Sequence, residues 1–211
     1  MQLFVLKRKP IMVVDINQQK YLAIDLELNS NGEGKTTKII QVGIAIGSLN
    51  DQKNIQTYKW YVDPKEPLTN FIIGLTGITQ QDIADKAVGL DVIAAEIGKL
   101  IDENNTFANP VQWGMGDAEQ LKTEFEQNNI LFPYFGNRVI DVKTLYTFLQ
   151  SAKGSNVKGG LSSCMGKYKL QFKGLAHRAD VDAHNTLLFY FALLERQSKL
   201  EQLLQFSKGI T

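Results

Sequence analysis

The stretch "YLAIDLELNSNGEGKTTKIIQVGIAIG", residues 21–47, decides how the rest of the chain is read. It holds two chemistries that exclude each other. Gly34-Lys35-Thr36 is the tail of a phosphate-cradling loop, whereas Asp25 and Glu27 are carboxylates one residue apart at the end of an apolar run. A phosphate-cradling loop needs a glycine five residues before Gly34, and position 29 is Asn29. It also needs a helix directly after Lys-Thr, whose N-terminus helps hold the phosphates. Instead the chain continues as Thr36-Thr37-Lys38-Ile39-Ile40, a strand-forming run. The stretch is therefore two strands joined by a polar hairpin turn over residues 29–37, with Gly32 and Gly34 at the positions that need a positive φ.

Working outward, "IQTYKWYV" (55–62) alternates Tyr58, Trp60 and Val62 and reads as a third strand. No helix fits between these three runs, so they predict an antiparallel meander. Helical spacing takes over at Asp91 to Ile101, where Val92, Ile93, Ile97, Leu100 and Ile101 share a side. A short strand in "NTFANPVQWG" (105–114) precedes a helix from Asp117 to Gln127. "NRVIDV" (137–142) is a fifth strand, followed by a helix through Leu145 and Phe148 and a long last helix from about 181 past Leu194. Strands in a run, then strands alternating with helices, predict an α/β architecture: a five-stranded mixed sheet, antiparallel meander then parallel strands, flanked by helices. Residues 1–18 are assigned as an extension adding a strand at the sheet edge.

At 211 residues, 44% hydrophobic and 21% charged, the chain suits one domain over 1–211 with a full apolar core. No apolar run approaches the ~20 residues of a membrane span. At the N-terminus, Lys7, Arg8 and Lys9 split two short apolar runs instead of preceding a long one, unlike a signal peptide. A single cysteine, Cys164, excludes an internal disulfide and a cysteine-based zinc cluster. The expected setting is intracellular and cytoplasmic, away from membranes. The net charge of +1 is unevenly spread: residues 142–179 carry seven basic residues and no acidic one. Such a stretch is either a solvated face or a groove for a polyanion.

In a strand, residues i and i+2 share a face, so Asp25 and Glu27 present their carboxylates together. Two buried negative charges are costly unless a cation neutralises them, and all-oxygen donors suit Mg²⁺ or Mn²⁺. On its own, Asp-x-Glu is also what an ordinary strand end exposed to water looks like. Asp117 follows two glycines and opens a helix, where it also fits a helix cap, with Gln120 completing a capping box. Asp182 lies in the first turn of the last helix, where it also suits the helix dipole, and His177 precedes it by five positions. Asp15 is an acid without a partner at i+2, and Asp180 and His184 are off the spacing.

The order of these groups is more specific than any one of them. Asp25-x-Glu27 on the first long strand, Asp117 opening a mid-chain helix and His177-x4-Asp182 near the end resemble the DEDDh 3′–5′ exonucleases, which have a ribonuclease H-like fold. "IIQVGIAI", "LTGIT" (75–79) and "HRADVDAHNT" support the resemblance, which covers about residues 20–196. It is nearest the histone-mRNA-exonuclease-like and KinA-pathway-inhibitor-like branch. The tyrosine variant of the superfamily would need tyrosine at 178, which is Arg178. Directly after the Asp-x-Glu pair, Leu28 and Asn29 depart from the small residues or threonine common in the family.

The resemblance implies hydrolysis of single-stranded RNA or DNA 3′ ends to nucleoside 5′-monophosphates with two divalent ions, Mg²⁺ or Mn²⁺. Asp25, Glu27, Asp117 and Asp182 would hold the ions. His177 would be the general base, since imidazole is the side chain that titrates nearest neutral pH. Leu26, Leu28, Thr76, Gly77 and Ile78 would meet the terminal nucleotide. Lys167, Lys169, Lys173 and Arg178 would track the phosphate backbone, which favours the groove reading of the basic stretch. Two alternatives stay open: a non-catalytic regulatory or nucleic-acid-binding module of the same fold, and a proofreading subunit inside a polymerase complex.

Overall fold

A computed structural model describes residues 18–32 and 38–207, with side chains up to 203. Of the edge strand expected in residues 1–18, residues 1–17 lie outside the described residues, as do Asp15 and the hairpin tip with Gly34. Strands β1 (Lys20–Leu28), β2 (Ile39–Ser48) and β3 (Gln56–Tyr61) come first. Helices α1 (Asn70–Thr76), α2 (Gln80–Lys86) and α3 (Leu90–Asn104) come after them. Strand β4 (Val111–Gln112), α4 (Asp117–Gln127), β5 (Ile140–Asp141), α5 (Val142–Ser151), α6 (Leu161–Lys167) and α7 (Ala179–Ser207) complete the order, and a short 3-10 helix (Leu49–Asn54) sits between β2 and β3, where the sequence reading left no room for a helix. Among the described residues, no helix is long and apolar enough to cross a membrane.

The five strands lie in the order β3-β2-β1-β4-β5. β1–β2 and β2–β3 pair antiparallel, as the meander reading requires, and β1–β4 and β4–β5 pair parallel. Strand periodicity sorts β1 between two cores. Leu22, Ile24 and Leu26 pack with Ile93 and Ile97 of α3 and Leu121 and Phe125 of α4. Tyr21 and Ala23 pack on the other face with Leu187, Phe191 and other residues of α7. Asp25 and Glu27 continue that second face toward the end of the strand.

One glycine lets α7 reach this end. Gly43 lies opposite Asp25 in the β1–β2 register. A Cβ on Gly43 would fall 2.0 Å from the backbone carbon of Ala179, the first residue of α7. Backbone therefore rests on backbone. The last helix starts directly over the sheet, one turn before Asp182. The short helices α1, α2 and α6, seven residues each, were not anticipated from the sequence. Two turns are too short to show a helical period, and these are defined by their ends instead. Thr69 caps α1 and Gly77 closes it in the left-handed region, while Thr79 and Asp82 form a reciprocal capping box on α2.

Candidate active site

β1 and β2 slip register between Glu27 and Leu28, so the regular ladder gives way beside the second carboxylate. Glu27 is only 7% exposed. Asp25, two residues earlier on the same face, is half-buried. Asp117 arrives from the α4 side, and here the capping reading is corrected. Gly116, at a φ of 122°, occupies the cap position, and Asp117 is the first helical residue. Its carboxyl lies instead near the backbone of Leu26 on β1, which lowers its pKa against the effect of burial. Gln120 turns to Glu124 and takes no part in a capping box.

Asp182 arrives from the α7 side. One of its oxygens accepts the backbone N–H of His177 at 2.8 Å, tying the histidine segment to the helix start. His177 itself has a φ of 63°, a left-handed conformation that side chains other than glycine adopt at a cost. Its imidazole is exposed, and potential ligand atoms of Glu27, His177 and Asp182 lie within 4.8 Å of one another. Asn185 latches the preceding loop. Its amide accepts from Lys173 N at 3.0 Å and donates to the oxygens of Lys173 at 2.9 Å and Val181 at 2.8 Å.

The electrostatics are one-sided. Burial first, then Asp117, Glu27 and Asp182, push the Asp25 carboxyl well above its ordinary range. Burial, then Asp182 and Asp117, raise Glu27 to about 8, with Arg178 opposing. Burial raises Asp117 to about 7 against the nearby Leu26 backbone. Asp182 is raised too, by burial, with the His177 backbone opposing. These carboxyl groups cannot all ionise together cheaply without added positive charge. A hard divalent cation with oxygen ligands matches that donor set.

The other residues singled out in the sequence are placed less uniformly. Arg178 donates to Thr76 O at 3.3 Å and to the Tyr61 hydroxyl at 3.1 Å, pinning the end of α1 to β3. The side chains of Leu26, Thr76 and Ile78 are buried, and Leu28 is half-buried against the α3–α4 core. Their side chains are therefore committed to packing, and the exposed positions beside them are Gly77, Phe71 and Leu75. Phe71, 49% exposed, escaped the sequence reading because an aromatic residue on an apolar segment looks like core. Asn29 uses its amide to brace the start of α1, bonding Glu66, Pro67 O and Thr69 N. Lys167, Lys169 and Lys173 are exposed, and Lys167 donates to Lys158 O at 2.8 Å. Asp180 is engaged by Lys59 at 3.2 Å, and His184 stands apart with its pKa lowered by burial.

A family model described as exonuclease matches residues 22–190. The 3′-5′ exonuclease DinG of Bacillus subtilis (strain 168) is 26% identical over 201 residues, covering 88% of this chain and 19% of that protein. ERI1 exoribonuclease 2 of Homo sapiens is 24% identical over 200 residues, covering 82% of this chain and 28% of its own length. The chain thus spans a minor part of these relatives. Among solved structures, the nuclease domain of 3′hExo, a DEDDh family member bound to rAMP, superposes with a TM-score of 0.68 at 17% identity, covering 85% of this chain and 92% of that one. E. coli Exonuclease I in complex with a dT13 oligonucleotide gives 0.64 at 18% identity, covering 89% and 43%. At such identities the likeness is one of fold, an exonuclease domain of ribonuclease H-like architecture.

Proposed function

From the premise that the chain belongs to the exonuclease family and is of its DEDDh type, we propose that it is a metal-dependent 3′–5′ exonuclease. Its substrates are single-stranded 3′ ends of RNA or DNA, and its products nucleoside 5′-monophosphates. One observation carries the reading: Asp25, Glu27, Asp117 and Asp182 converge from three elements, and each has its carboxyl raised by burial. Two Mg²⁺ or Mn²⁺ ions held by those four residues would neutralise them and supply charge stabilisation at the phosphoryl group and the leaving 3′-oxygen.

The chain's own groups do the rest. His177, exposed and held next to Asp182 through its backbone, takes the proton from the attacking water and passes it to solvent. Arg178 offsets part of the negative charge around Glu27 while holding the end of α1 in place. Gly77, Phe71 and Leu75 offer the terminal nucleotide an exposed, partly apolar surface. Lys167, Lys169 and Lys173 line the approach for the phosphates behind it.

The test uses 5′-labelled single-stranded RNA, single-stranded DNA and blunt duplex, each with Mg²⁺ or Mn²⁺. A ladder shortening from the 3′ end with 5′-monophosphate products is expected. Full activity in excess chelator, or products bearing 3′-phosphates, overturns the reading. Metal binding without any cleavage points instead to a non-catalytic module.

A further inference from the structure

β1 is flanked by β2 and β4, and each neighbour buries one glutamine completely, Gln41 on β2 and Gln112 on β4. They face opposite sides of the sheet. Gln41 lies opposite Glu27 in register and so shares the α7 face. Gln112 comes directly after Val111, which packs in the α7-side core, so it faces the α4 side.

Each side-chain oxygen accepts one N–H at a helix start. Gln41 Oε1 takes Ala179 N at 2.9 Å, the first residue of α7. Gln112 Oε1 takes Ala118 N at 3.1 Å, the second residue of α4. Those two helices are the ones that carry Asp182 and Asp117. The first N–H groups of a helix have no partner within it, and a buried one must find an acceptor elsewhere. α4 has no local acceptor to offer, because its cap residue is Gly116 and makes no side-chain cap bond. Gln112 caps it from the strand, and its Nε2 also holds Gly114 O at 3.0 Å. Gly114 N is fixed in turn by Asp141 at 3.0 Å.

We propose that Gln41 and Gln112 are positioning residues that set Asp182 and Asp117 against the β1 carboxylates, each by holding the start of the helix that bears its partner. The consequence for rate rests on the exonuclease reading. The anchoring itself does not. Gln112's oxygen holds the residue next to Asp117, and Gln41's oxygen holds the turn before Asp182. A one-residue grip leaves little slack for the ligands, and displacements of about 1 Å in a catalytic constellation can cost ~10²-fold in rate.

The experiment compares Gln41→Met and Gln112→Met, which keep length and burial but lose the acceptor, with Ile97→Val as a core control on α3. Hydrogen exchange by mass spectrometry reads the helix starts. Gln112→Met should accelerate exchange in the first turn of α4 about tenfold or more and spare α7, and Gln41→Met should do the reverse. On a single-stranded oligonucleotide, each Met variant should lose roughly 10–100-fold in kcat with KM within about twofold. Ile97→Val should show neither effect. Should a Met variant not fold, Gln→Asn, which withdraws the oxygen by one methylene, takes its place.

Unchanged protection at both helix starts overturns the proposal. So does equal loosening of both helices by either substitution, which is what a general loss of core stability gives. A loosened helix start with wild-type kcat overturns the positioning role. If the wild type cleaves nothing, the exonuclease reading falls, and the exchange pattern still decides the anchoring.

Discussion

The cavity of about 650 Å³ bounded by β2, β3 and helices α2 to α4 is lined by Asp63, Asp91 and Glu124, among others. The end of β1 gathers Asp25, Glu27, Asp117 and Asp182. In the cavity two of these three acids have cations: Lys65 meets Asp63 at 2.9 Å and Lys38 meets Glu124 at 3.7 Å, while Asp91 is exposed to solvent. Hydrogen bonds from Lys65 hold the Asp63 carboxyl below its ordinary range. At the end of β1 the acids have one another, and every shift is upward. The cavity is largely balanced in charge, and the end of β1 is not. Volume locates room for a ligand, whereas unbalanced charge locates the chemistry that needs one.

Substitution is the strongest way to break this contrast. Asp25→Asn and Asp182→Asn should each abolish turnover and the rise in melting temperature that Mg²⁺ or Mn²⁺ confers, since ions bound to the native state stabilise it by mass action. Differential scanning fluorimetry with and without metal, beside a gel assay, checks both. Retained activity in either variant would remove its carboxylate from the ion-holding set. His177→Ala should cost about 10²–10⁴-fold in rate and keep the metal-induced rise. Loss of that rise would make the imidazole a ligand, which its closeness to Glu27 and Asp182 makes worth measuring.

Acidity offers a subtler probe. Glu27 and Asp117 are raised to about 8 and about 7. A carboxyl raised on folding contributes stability that is complete below its ordinary value and lost as pH rises through the folded one. In chelator, the melting temperature should therefore fall between about pH 5 and pH 8, and Glu27→Gln should flatten the slope. Saturating Mn²⁺ should flatten it as well. Asp63, shifted the other way, contributes stability above its ordinary value that is lost as pH falls below about 4. A metal-free melting temperature independent of pH from 5 to 8 would show that the β1 cluster is as balanced as the cavity.

Two smaller effects sharpen the boundary between the regions. Replacing Lys167, Lys169 and Lys173 together should reduce the log–log salt slope for long single strands by roughly 2 units, at ~0.7 per phosphate contact, and spare a dinucleotide. An unchanged slope would make that surface a solvated face. Asp63→Asn, in the cavity, should change neither the rate nor the metal-induced rise. A loss there comparable to that of Asp25→Asn would erase the distinction.

The sequence disclosed β1 and β2 because burial on both faces leaves continuous apolar runs, and β3 because half-burial imposes a period of two, and strand geometry then put Asp25 and Glu27 on one face. It disclosed Asp117 as a helix opener but not where that carboxyl points. The deciding residue, Gly116 at a φ of 122°, is silent about direction in a string of letters. Gln41 and Gln112 were invisible for a related reason. A polar residue within an apolar strand signals only that a partner exists, and the partners lie 138 and 6 positions away along the chain. Exposed Phe71 was missed because hydrophobicity reports what can be buried, not what is.

The seat of α7 on Gly43 bears on the order of events during synthesis. A chain emerges from its N-terminus at about 5–20 residues per second, and early segments begin to fold before late ones exist. β1, β2 and α4, which carry Asp25, Glu27 and Asp117, all precede α7 along the chain. Asp182 and His177 join only once α7 can close over the bare backbone at Gly43. Until then the cluster at the end of β1 lacks both the fourth carboxylate and the imidazole that the proposed function requires.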